Sequence, residues 1–136
     1  MPTDSQKLAR SVARLNRRLR QERQTDLTPT QLSVLGTIRI LGPSTPGAIA
    51  ARERVQPPSV TRTLSCLVTE GLALREPHPD DGRQVLVSVS AKGEAVLAAE
   101  RDRRDEWLAR RLTGLTTAER ATLREAAALL EQLADS

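Results

Sequence analysis

The chain has 136 residues, the usual size of one domain, and carries 21 Lys and Arg against 17 Asp and Glu. The net charge of +4 is compatible with nucleic acid as a partner but does not establish it. One Cys and one His exclude an internal disulfide and a closed zinc site, and no apolar run reaches the roughly 18 residues of a membrane span. We therefore expect a soluble cytoplasmic protein with no metal and no cofactor.

The first predicted element is an amphipathic helix that ends near Arg23. Thr3 and Gln6 are spaced as a capping box, in which each side chain bonds the backbone N–H of the other residue. The same pairing recurs at Thr28–Gln31 and Thr116–Glu119, where later helices are expected to begin. One face of the first helix is apolar at helical spacing: Leu8, Val12, Leu15 and Leu19.

Three shorter helices follow, and each one opens on a proline. Thr28-Pro29 and Thr45-Pro46 place an N-cap threonine before a proline, whose missing N–H is no loss in the first turn. The second of these helices is predicted over about residues 46–54 and the third over residues 57–70. Gly71 is placed to end the third helix in the left-handed conformation.

A β-hairpin then interrupts the helical pattern. The predicted strands are about Leu72 to Glu76 and Gln84 to Val89, joined by a Pro-Asp-Asp-Gly turn. A helix from 91 to 112, capped by Ser90, and a last helix to about residue 134 complete the chain. The predicted fold class is therefore mainly α with a small β-hairpin wing (α+β).

Two short helices with a tight turn and a following hairpin form a winged helix-turn-helix. The helix over 57–70 is the predicted recognition helix, whose N-terminal residues meet base edges in the major groove. Val60, Leu64 and Leu67 must face the core, so the hydroxyls and one Arg point outward. We also expect backbone N–H groups at the helix start to bind phosphate, although Pro57-Pro58 lacks two of them. The candidate DNA-binding residues here are Thr45, Pro57, Ser59, Thr61, Arg62 and Ser65.

The turn of the hairpin carries Arg83, a long cation that can enter the narrow minor groove, where negative potential is concentrated. Gly82 is expected to allow the sharp bend, and Asp81 to hold the Arg83 guanidinium through a charge-assisted hydrogen bond. The alternative is ordinary turn chemistry, in which Arg83 only offsets Asp80 and Asp81. On the first interpretation the wing, residues 77–84, is a second DNA contact.

The segments PSVTRTLSCLVTEGLALREPHPDDGR and HPDDGRQVLVSVSAKGEAVL closely resemble the MarR family of bacterial transcriptional regulators, and the likeness runs from about Leu27 to Leu97. The resemblance implies one domain over residues 1–136. Its dimerisation helices would lie at 1–27 and 91–136, and its winged helix-turn-helix DNA-binding region at 28–90. It also implies a homodimer that grips a palindromic operator.

The same resemblance implies roles for individual side chains. Arg75 would lie near the DNA backbone and Arg83 in the minor groove with Asp81 supporting it, while Ser59, Thr61 and Arg62 would meet the major groove. Two positions depart from the family pattern, because Arg54 stands where Gly is usual and Glu53 where an apolar residue is common. Arg54 would need a left-handed backbone if the turn is kept, so the turn geometry is open.

Apolar residues of the first and last helices are the expected dimer interface: Leu8, Leu15, Leu115, Leu130 and Leu133. A two-fold axis would set the two recognition helices one DNA turn, roughly 34 Å, apart. Members of the family respond to small aromatic acids or to oxidants, and an effector pocket is expected near Leu19, Leu35, Ile38 and Trp107, with plain core as the alternative. Cys66 is expected to be a small core or half-buried residue rather than a sensor.

The leading hypothesis is a homodimeric, sequence-specific double-stranded DNA-binding transcriptional regulator, and a repressor that a small-molecule effector releases. One alternative is a winged-helix protein-interaction module, which would expose apolar residues in place of Ser59, Thr61, Arg62 and Arg83. An RNA-binding winged helix is another, but the lack of stacking aromatic residues counts against it. Catalysis is set aside, because the only His, His78, lies at the wing, where nucleophile, base and orienter cannot be assembled.

Overall fold

The computed structural model describes residues 1–23 and 25–136. Over this range the chain forms six helices and one two-stranded antiparallel sheet. The elements are α1 (Asp4–Gln21), α2 (Pro29–Leu41), α3 (Pro46–Glu53), α4 (Pro57–Thr69), β1 (Ala73–Pro77), β2 (Val85–Val89), α5 (Ala91–Leu112) and α6 (Thr117–Asp135). The predicted fold class is confirmed, and the element order is the predicted one.

Four of the six helices in the described chain begin where a threonine side chain accepts a hydrogen bond from a backbone N–H of the first turn. Capping boxes are complete at three of these starts: Thr3–Gln6, Thr28–Gln31 and Thr116–Glu119. Thr45 caps α3 by accepting a hydrogen bond of 3.2 Å from the N–H of Ala48. Gly71, with φ of +76°, follows α4 in the left-handed conformation. The predicted caps are confirmed, and a cap of this kind typically stabilises a protein by about 1 kcal/mol.

The chain divides into two compact units, one formed by Arg23–Asp102 and the other by Met1–Glu22 with Arg103–Ser136. The first, here called the winged unit, holds the hydrophobic core. Helices α2, α3 and α4 and the two-stranded sheet all contribute aliphatic side chains to this core. Its members are Val34, Leu35, Ile38, Ile49, Ala50, Val60, Leu64, Leu67, Leu72, Ala73 and Val87. Because the helices and the hairpin share one core, the recognition helix and the wing are held in one body.

The sheet pairs Ala73 with Val89 and Pro77 with Val85. Val87 is fully buried, and its backbone also bridges to Ser44, the residue before the cap of α3. Val87 N–H donates to the Ser44 carbonyl at 2.8 Å, and Ser44 N–H donates to the Val87 carbonyl at 3.1 Å. The base of the wing is thereby tied to the start of α3.

The first turn of α5 belongs to the winged unit and packs closely against the two ends of the hairpin. The Ser90 hydroxyl donates to the carbonyl of Gly71 at 2.6 Å and accepts from the N–H of Gly93 at 3.0 Å, which confirms the predicted Ser90 cap. A Cβ at position 93 would lie 2.2 Å from the Leu72 carbonyl oxygen and 2.8 Å from Cγ1 of Val89. No sequence pattern singled out Gly93, yet only glycine fits this approach.

The second unit, here called the terminal unit, consists of α1, the C-terminal part of α5 and α6. No residue of α1 or α6 is buried within the described chain. Two guanidinium groups lie over the ring of Trp107, with Cζ of Arg18 at 4.8 Å and Cζ of Arg111 at 4.9 Å from its centroid. These are cation–π contacts. Among the helices that the structure describes, none is long and apolar enough to cross a membrane.

Candidate nucleic-acid interface

The turn between α3 and α4 is closed by an arginine in the left-handed conformation. Arg54 has φ of 57° and ψ of 43°, the only positive φ of a non-glycine residue in the described part of the chain. Its N–H donates to the carbonyls of Ala50 and Ala51, and the N–H of Val55 donates to that of Ala50 at 3.1 Å. The helix-turn-helix turn is therefore kept, and Arg54 adopts the left-handed backbone that this required.

Glu53, which stands where an apolar residue is common, links α3 to α2 through hydrogen bonds. Its two carboxylate oxygens accept from the Ser33 hydroxyl at 3.1 and 2.9 Å. One of them also accepts from the hydroxyl of Thr37, which is buried. A buried hydroxyl without a partner costs free energy, so Glu53 satisfies a group that an apolar residue would leave unpaired. The pair α2 and α3, against which α4 packs, is thus held by polar contacts as well as by the core.

Helix α4 turns its apolar side to the core and its polar side to solvent. Val60, Leu64 and Leu67 are at most 1% exposed. The predicted DNA-binding residues of α4 are all exposed: Pro57, Ser59, Thr61, Arg62 and Ser65. The Arg62 side chain makes no hydrogen bond or ion pair within residues 1–23 and 25–136, so its guanidinium is available to a ligand.

Three hydroxyls of α4 donate to the backbone carbonyl four residues earlier. These bonds join Thr61 to Pro57 at 3.1 Å, Thr63 to Ser59 at 3.2 Å and Ser65 to Thr61 at 3.1 Å. Since each hydroxyl hydrogen is used inside the helix, the oxygen that faces outward acts as an acceptor. Thr61 is therefore suited to a donor on a base edge, such as the amino group of adenine or cytosine.

The start of α4 offers few free backbone donors to a phosphate: within the described chain, the N–H of the N-cap residue Gln56 makes no hydrogen bond. Pro57 and Pro58 have no N–H, and the N–H of Ser59 donates to the carbonyl of Gln56 at 3.1 Å. The Gln56 side chain does not cap the helix either. A phosphate at this end of the helix therefore depends more on side chains than at a helix start without proline.

The tip of the wing is organised by Asp81 and His78. Oδ1 of Asp81 accepts from the N–H of Arg83 at 3.0 Å and from its Nε at 3.4 Å. Nδ1 of His78 accepts from the N–H groups of Asp80 at 3.1 Å and Asp81 at 3.2 Å. The predicted bond between Asp81 and Arg83 is present, while the Arg83 side chain remains 93% exposed. The guanidinium is therefore both oriented and accessible.

Gly82 does not have the role that the turn sequence indicated. Its φ is not in the positive range, and a Cβ at this position would meet nothing within 4 Å. The bend is closed instead by backbone bonds from Gln84 N–H to the Asp81 carbonyl at 3.0 Å and from His78 N–H to the Gln84 carbonyl at 3.1 Å. The turn therefore does not depend on glycine.

Two further candidate residues have partners inside the winged unit. Nη2 of Arg75, on β1, donates to Oγ of Ser65 on α4 at 3.1 Å. Thr45 is partly exposed and is engaged as the cap of α3. The DNA-contacting roles of Arg75 and Thr45 stay predictions.

Cys66 is exposed on α4, which corrects the expectation of a core or half-buried residue.

The residues predicted to form the dimer interface lie in the terminal unit. Leu8, Leu15, Leu130 and Leu133 are between 39% and 61% exposed, and Leu115 is partly buried. The interface stays a prediction.

The residues predicted to line an effector pocket are split between the units. Leu35 and Ile38 are fully buried in the winged unit, whereas Leu19 and Trp107 belong to the terminal unit. The pocket also stays a prediction. Among the described residues, no three His, Cys, Asp or Glu side chains come together as metal ligands.

Comparison with known proteins agrees with this geometry. A family model described as the MarR family matches residues 27–85. An uncharacterized HTH-type transcriptional regulator of Mycobacterium leprae is 49% identical over 129 residues, which cover 94% of this chain and 90% of that protein. The multiple antibiotic resistance protein MarR of Salmonella typhimurium is 37% identical over 99 residues, which cover 72% of this chain and 69% of that protein.

The fold is also that of a protein solved with DNA. FabT of Streptococcus pneumoniae, crystallised in complex with DNA, aligns with a TM-score of 0.79 at 19% identity over 97% of this chain and 98% of that chain. The two curated relatives carry the names of a transcriptional regulator and of MarR rather than of enzymes, in agreement with the prediction that the chain is not an enzyme. With a winged helix-turn-helix and these identities over most of its length, the chain belongs to the MarR family of transcriptional regulators.

Proposed function

We propose that the chain is a homodimeric regulator that binds a palindromic double-stranded DNA operator through α4 and the wing. The observation that carries this proposal is the presence of two accessible guanidinium groups, Arg62 on α4 and Arg83 at the wing tip, in one body with a shared core. In the proposed complex α4 lies in the major groove, where Ser59, Thr61 and Arg62 meet base edges. The wing, residues 77–84, enters the minor groove with Arg83.

The other candidates are assigned to the sugar-phosphate backbone, which positions the protein without reading sequence. Arg75 is a cation beside α4, and Ser65 holds its guanidinium. Thr45 is the N-cap residue of α3 and Pro57 is the first residue of α4. Both therefore lie at the N-terminal ends of the two helices of the helix-turn-helix.

Selection of bound sequences from random duplex DNA tests this proposal directly. We expect a palindrome whose half-sites are about 10–10.5 base pairs apart, centre to centre, because the two recognition helices of a dimer lie one helical turn apart. Recovery of no enriched sequence would contradict DNA recognition and would favour the protein-interaction alternative.

Arg62 offers a finer test of the same proposal. If its guanidinium reads a guanine, Arg62→Ala loses about 1–3 kcal/mol of base discrimination at one position of each half-site. Binding to an operator and to single-base variants, measured in parallel, reports this loss. An equal loss on every sequence would show that Arg62 contacts phosphate instead.

Homodimer formation is supported by the apolar residues of α1 and α6. Seven of them are between 39% and 61% exposed: Leu8, Val12, Leu15, Leu123, Leu129, Leu130 and Leu133. Apolar surface of this extent on two helices is typical of an interaction face. Leu115, in the connection between α5 and α6, is proposed as part of the same interface.

Light scattering at micromolar concentration tests the dimer. The wild-type chain should have twice the monomer mass, and Leu130→Arg should shift it to the monomer. Ile40→Arg is the matched control, because Ile40 is 64% exposed but lies in the winged unit. A wild-type monomer would contradict the palindrome model.

We further propose that the regulator acts in the cytoplasm as a repressor, and that a small aromatic acid releases it from DNA. Trp107 is the only aromatic residue of the chain, and the guanidinium groups of Arg18 and Arg111 stack on it. A site with cations beside an aromatic ring can bind an aromatic anion through both its charge and its ring. Leu19 and Trp107 of the terminal unit are proposed to line the pocket.

Trp107 provides the measurement for the effector, since it is the only source of tryptophan fluorescence. Titration with benzoate or salicylate should change this fluorescence and release a labelled operator over the same concentration range. Fluorescence and operator binding that both stay constant would contradict an aromatic acid effector.

A further inference from the structure

The start of the recognition helix has fewer free backbone N–H groups for a phosphate than a helix start without proline. Free N–H groups at a helix start, together with the helix dipole, form an anion site in many proteins. In α4 two of the first three residues are prolines, and the N–H of the third, Ser59, is bonded to Gln56. A phosphate that faces this end of the helix would gain from a further donor on a side chain.

Arg54 stands three positions before the first proline of α4, on the turn that leads into the helix. Its left-handed backbone, at φ of 57°, is unfavourable for a residue with a Cβ, and glycine or asparagine would adopt it more readily. The backbone contacts of the turn are made by N–H and carbonyl groups that any residue supplies. The arginine side chain is therefore not needed for the geometry of the turn.

The Arg54 guanidinium is also uncompensated. The residue is exposed, and its side chain has no hydrogen bond or ion pair in the part of the chain that the structure describes. The neighbouring acid, Glu53, is turned away, because its carboxylate accepts from Ser33 and Thr37. A cation without a partner among the described residues thus stands three positions before the end of α4 that has few backbone donors.

We infer that the guanidinium of Arg54 binds a phosphate of the DNA backbone beside the start of α4 and takes the place of the missing N–H donors. This inference rests on the proposed function, because it adds a contact to the same protein–DNA complex. Guanidinium is suited to the role, since its planar donors match two oxygens of one phosphate.

Three variants separate charge from backbone geometry. Arg54→Asn removes the charge while keeping a residue that tolerates the left-handed conformation, and Arg54→Gly serves as a second neutral variant. Arg54→Lys keeps the charge. Arg110→Gln removes one charge from an exposed residue of α5 in the terminal unit and is the control for net charge.

The measurement is the dissociation constant for a selected operator duplex at several salt concentrations, together with the melting temperature. For Arg54→Asn we expect a smaller slope in a plot of the logarithm of the dissociation constant against the logarithm of the salt concentration. The decrease should be about 0.9 per subunit. Affinity should be several-fold weaker, with unchanged preference among operator variants, because a phosphate contact carries no base information. Arg54→Lys and Arg110→Gln should keep the wild-type slope, and the melting temperature of Arg54→Asn should not fall.

The possible failures are distinguishable. If the wild-type chain selects an operator but Arg54→Asn and Arg54→Gly keep its affinity and slope, the inference is overturned and the proposed function stands. The same holds if affinity and melting temperature fall together with no change in slope, since Arg54 would then act only on the fold. If the wild-type chain binds no DNA, both the proposed function and the inference are wrong.

Discussion

The guanidinium of Arg75 donates a hydrogen bond of 3.1 Å to the hydroxyl of Ser65 and so joins the wing strand β1 to the recognition helix α4. The Ser65 hydroxyl in turn donates to the carbonyl of Thr61 at 3.1 Å. Its hydrogen and one of its lone pairs are therefore both engaged within the protein. Ser65 is better suited to orient Arg75 than to read a base.

We predict that Ser65→Ala weakens operator affinity several-fold without changing base preference, because Arg75 loses the partner that orients it toward the backbone. Competition binding with operator variants checks this prediction. Thr63→Ala is the matched control, since its hydroxyl bonds only to the carbonyl of Ser59. A changed base preference in Ser65→Ala would instead make Ser65 a direct base contact.

Arg83→Ala should weaken operator binding and reduce the salt slope by about 0.9 per subunit, because one cation is removed from the minor groove of each half-site. The melting temperature should stay constant, since the Arg83 side chain is 93% exposed. Titrations of a labelled operator at several salt concentrations give the slope. An unchanged affinity would contradict the assignment of the wing to DNA.

Gly93→Ala should destabilise the chain by about 1–3 kcal/mol, because its Cβ would overlap the Leu72 carbonyl oxygen, which is backbone and cannot rotate away. Urea denaturation measures the difference in the free energy of unfolding. Gly36→Ala is the control, since a Cβ there meets nothing within 4 Å inside helix α2. That substitution should stabilise the chain by about 0.5–1 kcal/mol. Equal effects of the two substitutions would show that the close approach at Gly93 is not maintained in solution.

The cap of α6 should depend on pH. Hydrogen bonds from the backbone N–H and then the side chain of Thr116 lower the pKa of Glu119 below its usual value, while desolvation acts in the opposite direction. Because the pKa is lower in the folded state, the stabilisation is present above the unfolded pKa. It is lost as the pH falls through the folded pKa.

An NMR titration of the Glu119 carboxyl carbon measures its pKa and so checks that the pKa is lowered in the folded chain. In Thr116→Ala the pKa of Glu119 should rise toward its usual value, because both hydrogen bonds depend on the capping geometry of this residue. The box Thr28–Gln31 provides an internal comparison, since it has the same bonds without a titratable group. A Glu119 pKa that does not respond to the substitution would contradict the role of the box.

The positions of the helices and the face of α4 that points outward could be predicted from the sequence, because caps and apolar spacing are local properties. The three capping boxes each join residues three positions apart, and a helix brings residues with such spacing together wherever it forms. The apolar positions Val60, Leu64 and Leu67 likewise lie on one face by the helical period alone. The likeness to a known family added the expected role of Arg75.

Only the tertiary structure decided which polar groups already have a hydrogen-bond partner within the protein. Glu53 meets a hydroxyl 16 positions away at Thr37, Arg75 meets Ser65 across 10 positions, and Gly93 lies against Leu72 of another segment. A single sequence carries no signal for such pairs, since packing of separate elements brings them together. The role of Gly82 in the bend was wrongly predicted for the same reason. Turn composition favours a glycine there, but the hydrogen bonds of the whole hairpin set the backbone conformation.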